Sequence, residues 1–252
     1  MNKSKVSHIR FHIILTAILL ITWELIALMI NMQHIVPSPL NVFAKIWEIR
    51  ESLFLKHLPS TLITIVVGLA ISVVLGVSLA IIMDANENIE AMLYPVMIVT
   101  QSVPTMCIAP LFVIWFGYSM TARVIVVVLS AFFSITVNTF DGFKMVKREM
   151  NELMITYGAS TWKRFVTLKI PTALPNFFSA LKMAVPWAVI GSAVAEWLGA
   201  TSGLGYFSKR MMSKMDGAAI FAPVVILSIL AMCGMSMIKI TENKLIKWRD
   251  EV

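Results

Sequence analysis

Long apolar runs separated by short polar segments dominate this chain. Six of the runs meet or approach the roughly 20 residues that an α-helix needs to cross a bilayer core of about 30 Å. They span residues 11–30, 62–83, 93–116, 122–140, 176–199 and 218–238. The pattern predicts an all-α protein, a polytopic bundle of about six transmembrane helices, organised as one membrane domain over residues 1–252.

The third run is uncharged but contains three prolines, Pro95, Pro104 and Pro110. A proline inside a helix removes a backbone hydrogen bond, so this run is predicted to be kinked or interrupted. Irregular backbone is tolerated at membrane depth where it is buried in protein or lines a cavity. Polar residues flank the central proline, and they are expected either to line a translocation path or to hydrogen-bond neighbouring helices. The candidates are Gln101, Ser102 and Thr105.

Composition supports a membrane protein and argues against several other classes. Hydrophobic residues make up 58% of the chain and charged residues 14%, against about 25% charged in soluble domains. The net charge of +7 is spread over the polar segments, so nucleic acid is not an expected partner. Cys107 and Cys233 lie in apolar runs and are expected to be small buried hydrophobes. The four histidines lack ligand spacing, and no catalytic set of Ser, His and acid is evident, so neither a metal site nor an enzyme is predicted.

The distribution of Lys and Arg predicts the orientation of the chain. With the amino terminus inside, thirteen basic residues fall in inner segments and seven in outer segments. Positive charge accumulates on the cytoplasmic side, so both termini are predicted to be cytoplasmic. The exception is the inner loop 84–90, which is acidic and has no Lys or Arg.

The polar segment 141–175 has helical order of its own. Apolar residues with spacings of 3 and 4 predict a helix that Gly158 ends, since glycine adopts a left-handed cap without strain. Ala159, Ser160 and Thr161 are expected to cap a second short helix, which Pro171 and Pro175 would stop. The result is a helix-turn-helix at the cytoplasmic surface. It serves either as a docking site for a partner or as an ordinary interfacial amphipathic helix. The apolar positions of the first helix are Phe143, Val146, Met150, Leu153 and Tyr157.

This segment resembles the EAA loop by which permease subunits of bacterial ABC importers dock on their ATPase. The matching positions are Glu152, Gly158 with Ala159, Leu168, Ile170 and Pro171. Leu153 and Met154 depart from the pattern, because most of that family has alanines there. The stretches 36–39, 108–118 and 195–199 are also similar to permeases for taurine, sulfonates, nitrate and thiamine precursors. The similarity is greatest to hydroxymethylpyrimidine permeases.

The resemblance implies the type I ABC importer permease fold in a bacterial cytoplasmic membrane. It also implies partners: ABC ATPase subunits, an extracytoplasmic substrate-binding protein, the lipid bilayer and a second permease, expected to be an identical copy. The chain lacks a phosphate-binding loop, and Gly203 and Gly205 are a lone pair of glycines. No cofactor is therefore expected in this chain, and ATP is expected on the separate ATPase.

The cargo suggested by the resemblance is a pyrimidine such as hydroxymethylpyrimidine or a formylaminopyrimidine. Gln101 and Ser102 offer hydrogen bonds and Trp187 an aromatic face, although Trp187 is also suited to packing against lipid or another helix. Glu196, near the outer end of the fifth run, is either an interfacial anchor or part of an outer gate. The alternatives are an importer of taurine, alkanesulfonates or nitrate, and an ion-coupled secondary transporter that works without an ATPase.

Overall fold

The computed structural model describes residues 3–32 and 34–247, and every regular element in that part of the chain is helical. Two segments, Ser52–His57 before α3 and Phe165–Lys169 between α8 and α9, are π-helical. This architecture confirms the all-α class. The helices are α1 (Lys3–Ile30), α2 (Pro39–Glu48), α3 (Leu58–Ala85), α4 (Glu87–Gln101), α5 (Thr105–Phe116), α6 (Met120–Lys144), α7 (Arg148–Thr156), α8 (Thr161–Arg164), α9 (Ile170–Gly199), α10 (Leu204–Met212) and α11 (Gly217–Leu245).

Four continuous helical stretches in the described part are long and apolar enough to cross a bilayer. They are Ser52–Ala85, Met120–Lys144, Thr161–Gly199 and Gly217–Leu245. Helices α4 and α5 are long and apolar enough to cross a bilayer only when they are taken together, and counting this bent pair gives a fifth span. The predicted first span falls in α1, whose apolar stretch Ile14–Ile30 is shorter. The number of spans is thus four or five by length and composition, and the sixth remains a prediction.

The core of the bundle is formed where α3, α6 and α9 pack closely. A Cβ atom on Gly68 of α3 would lie 2.4 Å from Cγ1 of Val127 in α6, and one on Gly191 of α9 would lie 2.6 Å from Oγ of Ser130. Small residues of this kind allow helix backbones to approach, which is how helices associate in membranes. The buried residues around these contacts are Ile65, Val127, Ala131, Ile135, Ala184, Ala188 and Val189.

The proline-rich third run is interrupted, as predicted. Helix α4 ends at Gln101, Pro104 caps α5 with extended backbone, and the two helices meet at an angle of 97°. Pro95 and Pro110 lie inside α4 and α5. The sharp bend therefore occurs at Pro104, in the middle of the run.

Helix α1 packs against the amino-terminal end of α2. The indole Nε1 of Trp23 donates to the Pro37 carbonyl at 3.1 Å, and the Leu40 amide donates to Oε2 of Glu24 at 3.3 Å. Leu40 is in the first turn of α2, where backbone N–H groups have no partner within the helix. A carboxylate there accepts a hydrogen bond from such a group and interacts favourably with the positive end of the helix dipole. This contact explains an acidic residue in the middle of the first apolar run.

The segment 141–175 differs from prediction at both ends. Phe143 belongs to α6, which continues to Lys144, so the predicted first helix is divided in two. Pro171 and Pro175 do not stop the second helix, because it continues through Phe165–Lys169 into α9. Pro171 is in the first turn of α9, a position that proline tolerates, and neighbouring helices accommodate a proline such as Pro175. The predicted span 176–199 thus starts at Thr161.

Both cysteines are exposed on the isolated chain, which contradicts their predicted burial. Cys107 is in α5 and Cys233 in α11. An apolar residue of a membrane helix need not face the protein core, because lipid and partner subunits also cover apolar surface.

Candidate coupling turn and translocation cavity

The turn after α7 is a glycine-capped helix end. Gly158 has φ +74°, its amide donates to the Ile155 carbonyl at 2.8 Å, and the Ala159 amide donates to the Met154 carbonyl at 2.9 Å. These two bonds form a Schellman motif with Gly158 at the left-handed position. The prediction that Gly158 ends this helix in a left-handed cap is confirmed, and the Ala159 amide closes the motif.

The second half of the turn is built by α8. The Lys163 amide donates to Oγ of Ser160, which confirms Ser160 as a capping residue. The guanidinium of Arg164 donates to Oδ1 of Asn151 at 3.0 Å and so ties α8 back to α7. The turn therefore has a defined shape without help from a partner.

The surface of this turn presents aromatic rings to its surroundings. Tyr157 is 82% exposed and Trp162 is 72% exposed. Glu152 lies on the exposed part of α7, paired with Arg148 at 2.7 Å. Large exposed aromatic residues are typical of interfaces, so the turn has the properties of a docking site.

The remaining residues of the predicted loop lie on the inner side of the turn. Leu168, Ile170 and Pro171 are half-buried, in the π-helical segment and the start of α9. Ile170 lines a small apolar cavity of about 190 Å³ beside Val77 and Ile81 of α3. The predicted set thus divides into an exposed part around Gly158 and a part that packs against the bundle.

Three acidic residues at the same end of the bundle each contact a lysine. Asp84 pairs with Lys169 at 2.7 Å, Glu242 pairs with Lys182 at 2.7 Å, and Glu90 pairs with Lys144. Two of these acids belong to the loop 84–90, which the charge count could not explain. Its acidity is complementary to the basic segment 141–175, so both loops lie on one face of the molecule.

A cavity of about 460 Å³ opens beside the break between α4 and α5. It contains three of the five residues predicted for the translocation path, namely Gln101, Thr105 and Trp187, whose side chain is 53% exposed. No charged side chain is among the described residues that line it. The others are Thr100, Val103, Ile108, Leu129, Ser130, Phe133, Ser134 and Met183. The cavity can therefore accept an uncharged ring with hydrogen-bonding edges.

The other two predicted path residues lie elsewhere. Ser102 is in the turn between α4 and α5 but does not line the cavity. Glu196 has no exposed surface, which excludes an interfacial anchor. Its Oε1 accepts a hydrogen bond from Thr61 at 2.8 Å and its Oε2 accepts one from the Gly205 amide at 2.8 Å. Glu196 therefore joins α9 to α3 and α10 and stands apart from the cavity.

Sequence reasoning missed the contribution of α3 to this contact. Thr61 donates to Glu196 and accepts from the Leu204 amide at 2.8 Å, while Nδ1 of His57 accepts from the Gly203 amide at 3.1 Å. The one sequence feature that could have indicated this contact was the pair Gly203 and Gly205. Both glycines pack against the Glu196 carboxylate or its side chain. Among the described residues, no group of three or more His, Cys, Asp or Glu has the arrangement of a metal site.

A family model described as "Binding-protein-dependent transport system inner membrane component" matches residues 72–247. That range includes the turn after α7, the cavity beside the break between α4 and α5, and Glu196.

Individual relatives are also permeases, in agreement with the family match. The chain is 48% identical to the formylaminopyrimidine transport permease protein ThiX of Halalkalibacterium halodurans, over 92% of this chain and 93% of that protein. It is 25% identical to the putative aliphatic sulfonates transport permease protein SsuC of Bacillus subtilis, over 94% and 87% of the two chains. It is 24% identical to the taurine transport system permease protein TauC of Escherichia coli, over 94% and 89%.

A solved structure has a similar fold. An inward-facing form of the MetNI methionine ABC transporter matches with a TM-score of 0.57 and 18% identity, over 75% of this chain and 90% of that chain. At this identity the match supports the fold alone, and it agrees with the predicted type I importer architecture.

Proposed function

Because the chain belongs to the family of binding-protein-dependent transport system inner membrane components, we propose that it is the permease of an importer for a pyrimidine precursor of thiamine. The chain is a permease subunit of an ABC importer and a multi-pass inner membrane protein. Such subunits are not enzymes, and ATP hydrolysis belongs to a separate ATPase chain.

The observation that carries the pyrimidine proposal is the 48% identity to a formylaminopyrimidine permease along almost the whole of both chains. The chemistry of the cavity agrees with it. The amide of Gln101 and the hydroxyl groups of Ser130 and Ser134 can serve the polar edges of a small heterocycle, and Trp187 offers a ring face. A neutral ring enters such a cavity without leaving a buried charge unpaired.

A continuous helical path connects the coupling turn to this cavity. Thr161–Gly199 is one 39-residue helical stretch, roughly 58 Å long at 1.5 Å per residue. Trp162 lies at its exposed inner end and Trp187 lies at the cavity. Movement of the turn by an attached ATPase would therefore displace the cavity wall directly, as alternating access requires.

The complete importer in this proposal contains two ATPase subunits, an extracytoplasmic binding protein and a second, identical permease copy embedded in the same bilayer. Both termini face the cytoplasm, where the basic residues are concentrated. ATP binds to the ATPase chains, and this chain carries no cofactor.

An alkanesulfonate or taurine importer is the second candidate. One observation favours it: α5 begins at Thr105 on the cavity wall, and the amino-terminal end of a helix attracts anions. The relatives with these cargoes are about half as similar as the formylaminopyrimidine permease. A growth experiment in cells distinguishes a pyrimidine importer from a sulfonate or taurine importer.

The test is growth of a bacterium that cannot make the thiamine pyrimidine and lacks its own uptake system. Expression of this permease with its ATPase and binding protein should restore growth on low external formylaminopyrimidine or hydroxymethylpyrimidine. Gln101→Ala should raise the pyrimidine concentration needed for half-maximal growth by about tenfold. The neighbouring Ser102→Ala, outside the cavity, is the matched control and should behave as wild type. Growth on taurine or an alkanesulfonate as sole sulfur source, without pyrimidine rescue, would replace the proposal with the second candidate.

A further inference from the structure

The short helix α10 is attached to the bundle by a buried carboxylate. Glu196 in α9 is fully buried and accepts the Gly205 amide in the first turn of α10. Thr61 in α3 accepts the neighbouring Leu204 amide and donates to the same carboxylate. Glu196 thus acts as the amino-terminal cap of α10, supplied by another helix.

The backbone before α10 is shaped around this carboxylate. Gly203 has φ +121°, and a Cβ atom there would lie 2.2 Å from Cδ of Glu196. The Gly203 amide donates to His57, and the hydroxyl of Ser202 contacts that of Ser60 at 2.9 Å. Contacts from α3 and α9 therefore determine the position of α10, so a force applied to α10 reaches both helices.

The two faces of α10 differ in chemistry. Its apolar residues Leu204, Phe207 and Met211 are buried in the bundle. Its last turn and the segment after it carry exposed cations, Lys209, Arg210 and Lys214. An amphipathic helix that lies in the membrane surface would instead direct its apolar face outward. The exposed face of α10 therefore suits an acidic protein surface better than lipid acyl chains.

Exposed methionines add an apolar component to this face. Met212 is 55% exposed, and Met215 is 67% exposed with φ +54°. Left-handed backbone at a residue other than Gly, Asn or Asp is costly and is retained mainly where the surrounding structure or a function requires it. Methionine side chains adapt to different partner surfaces, which makes them common at protein interfaces.

We propose that the segment 209–215 is the surface on which an acidic, partly apolar patch of the extracytoplasmic binding protein docks, and that the Glu196 contact transmits docking to α3 and α9. This inference rests on the proposed function, because it requires the importer and the outward location of α10. Glu196 is a positioning residue here. It holds α10 in place and does not touch the cargo.

The docking surface is tested with the complete permease–ATPase complex in nanodiscs of phosphatidylethanolamine and phosphatidylglycerol. Affinity for the ligand-free binding protein is measured at low and high salt. Reversing two cations, Arg210→Glu with Lys214→Glu, should weaken binding at least about tenfold at low salt and reduce its salt dependence. The control, Lys239→Glu with Lys244→Glu, makes the same charge change on exposed residues at the far end of α11 and should change affinity less than about twofold.

The transmitting role is tested separately by ATP hydrolysis. Glu196→Gln and Thr61→Val leave the exposed cations in the chain, so both variants should still bind the binding protein. They should keep basal ATPase activity but lose most of its stimulation by the formylaminopyrimidine-loaded protein. Equal binding by the double charge reversal and wild type would overturn the docking surface. Normal stimulation in both positioning variants would overturn transmission through Glu196. The affinity measurement uses no pyrimidine, so it does not depend on the cargo assignment. If the cargo assignment were wrong, binding protein incubated with formylaminopyrimidine would fail to stimulate ATP hydrolysis by the wild-type complex.

Discussion

Lys169 and Asp84 form an ion pair between the π-helical segment Phe165–Lys169 and the carboxyl-terminal end of α3. The ammonium Nζ of Lys169 lies 2.7 Å and 2.8 Å from the two carboxylate oxygens of Asp84, whose side chain is only 6% exposed. Lys169 ends the π-helical segment that joins α8 to α9. The segment that follows α8 is therefore attached to α3 as well as to α9, and both helices contribute to the core.

Reversing the charge of Lys169 alone should separate ATP hydrolysis from transport. Lys169→Glu places a second negative charge against the nearly buried Asp84, which removes the attraction that joins the two segments. We expect uptake to fall at least about tenfold while the complex with the ATPase still forms. The measurement is uptake per ATP hydrolysed in proteoliposomes.

The double variant Lys169→Asp with Asp84→Lys is the matched control, since it restores opposite charges at the same place. Its uptake should recover to within about threefold of wild type. An exchanged pair no better than Lys169→Glu alone would show that the individual side chains, rather than their attraction, are required.

Gly158 should tolerate only residues that accept left-handed backbone. Its φ is +74°, and nothing lies within 4 Å of a Cβ atom built there, so substitution affects the backbone and not the packing. Gly158→Val should cost roughly 1–2 kcal/mol or more in the turn and impair uptake, whereas Gly158→Asn should retain most of it. Insertion of both variants is checked by membrane fractionation. Wild-type uptake by Gly158→Val would remove this turn from the mechanism.

A comparison of Gly203 with Gly117 separates the cost of a steric clash with Glu196 from the cost of backbone strain. Gly117 and Gly203 both have positive φ and extended ψ, a combination that strains any side chain. Only Gly203 would meet a neighbour, the Glu196 carboxylate. Gly203→Ala should therefore destabilise the purified protein by about 2 kcal/mol more than Gly117→Ala, which is seen as a lower thermal midpoint in detergent. Equal midpoints would contradict the described position of Glu196.

The orientation predicts which thiols are accessible from outside the cell. Thr156 and Ser213 are both exposed, at opposite ends of the bundle according to the charge count. In a background without Cys107 and Cys233, an impermeant thiol reagent should label Ser213→Cys in intact cells and should label Thr156→Cys only after lysis. The reverse pattern would invert the topology.

The sequence predicted the features that depend on local chemistry. Gly158 and Ser160 were identified because a left-handed cap and an N-cap each favour particular residue types. The break at Pro104 followed from the missing backbone donor. The prediction that Pro171 stops a helix was wrong. Proline occurs in the first turn of a helix as well as just after its end, and the sequence alone does not separate the two positions.

Features that depend on long-range contacts were less accessible. Glu196 and Thr61 are 135 residues apart, and no pattern along the chain indicates that they meet. The same holds for Lys169 and Asp84, although the acidic loop beside a basic segment was a signal that charge complementarity could have explained. Gln101 and Trp187 were each proposed for the path on chemical grounds, and the fold brings them to one cavity.

As the permease of a thiamine-precursor importer, this chain should move a pyrimidine across the membrane at the expense of ATP on a partner chain. The most direct measurement is uptake of radiolabelled formylaminopyrimidine into proteoliposomes that contain the permease with its ATPase, with binding protein outside and ATP inside. Labelled pyrimidine should accumulate only when both ATP and binding protein are present. Unlabelled hydroxymethylpyrimidine should reduce this uptake, and taurine should not. Absence of pyrimidine uptake in vesicles that accumulate taurine would contradict the thiamine-precursor assignment.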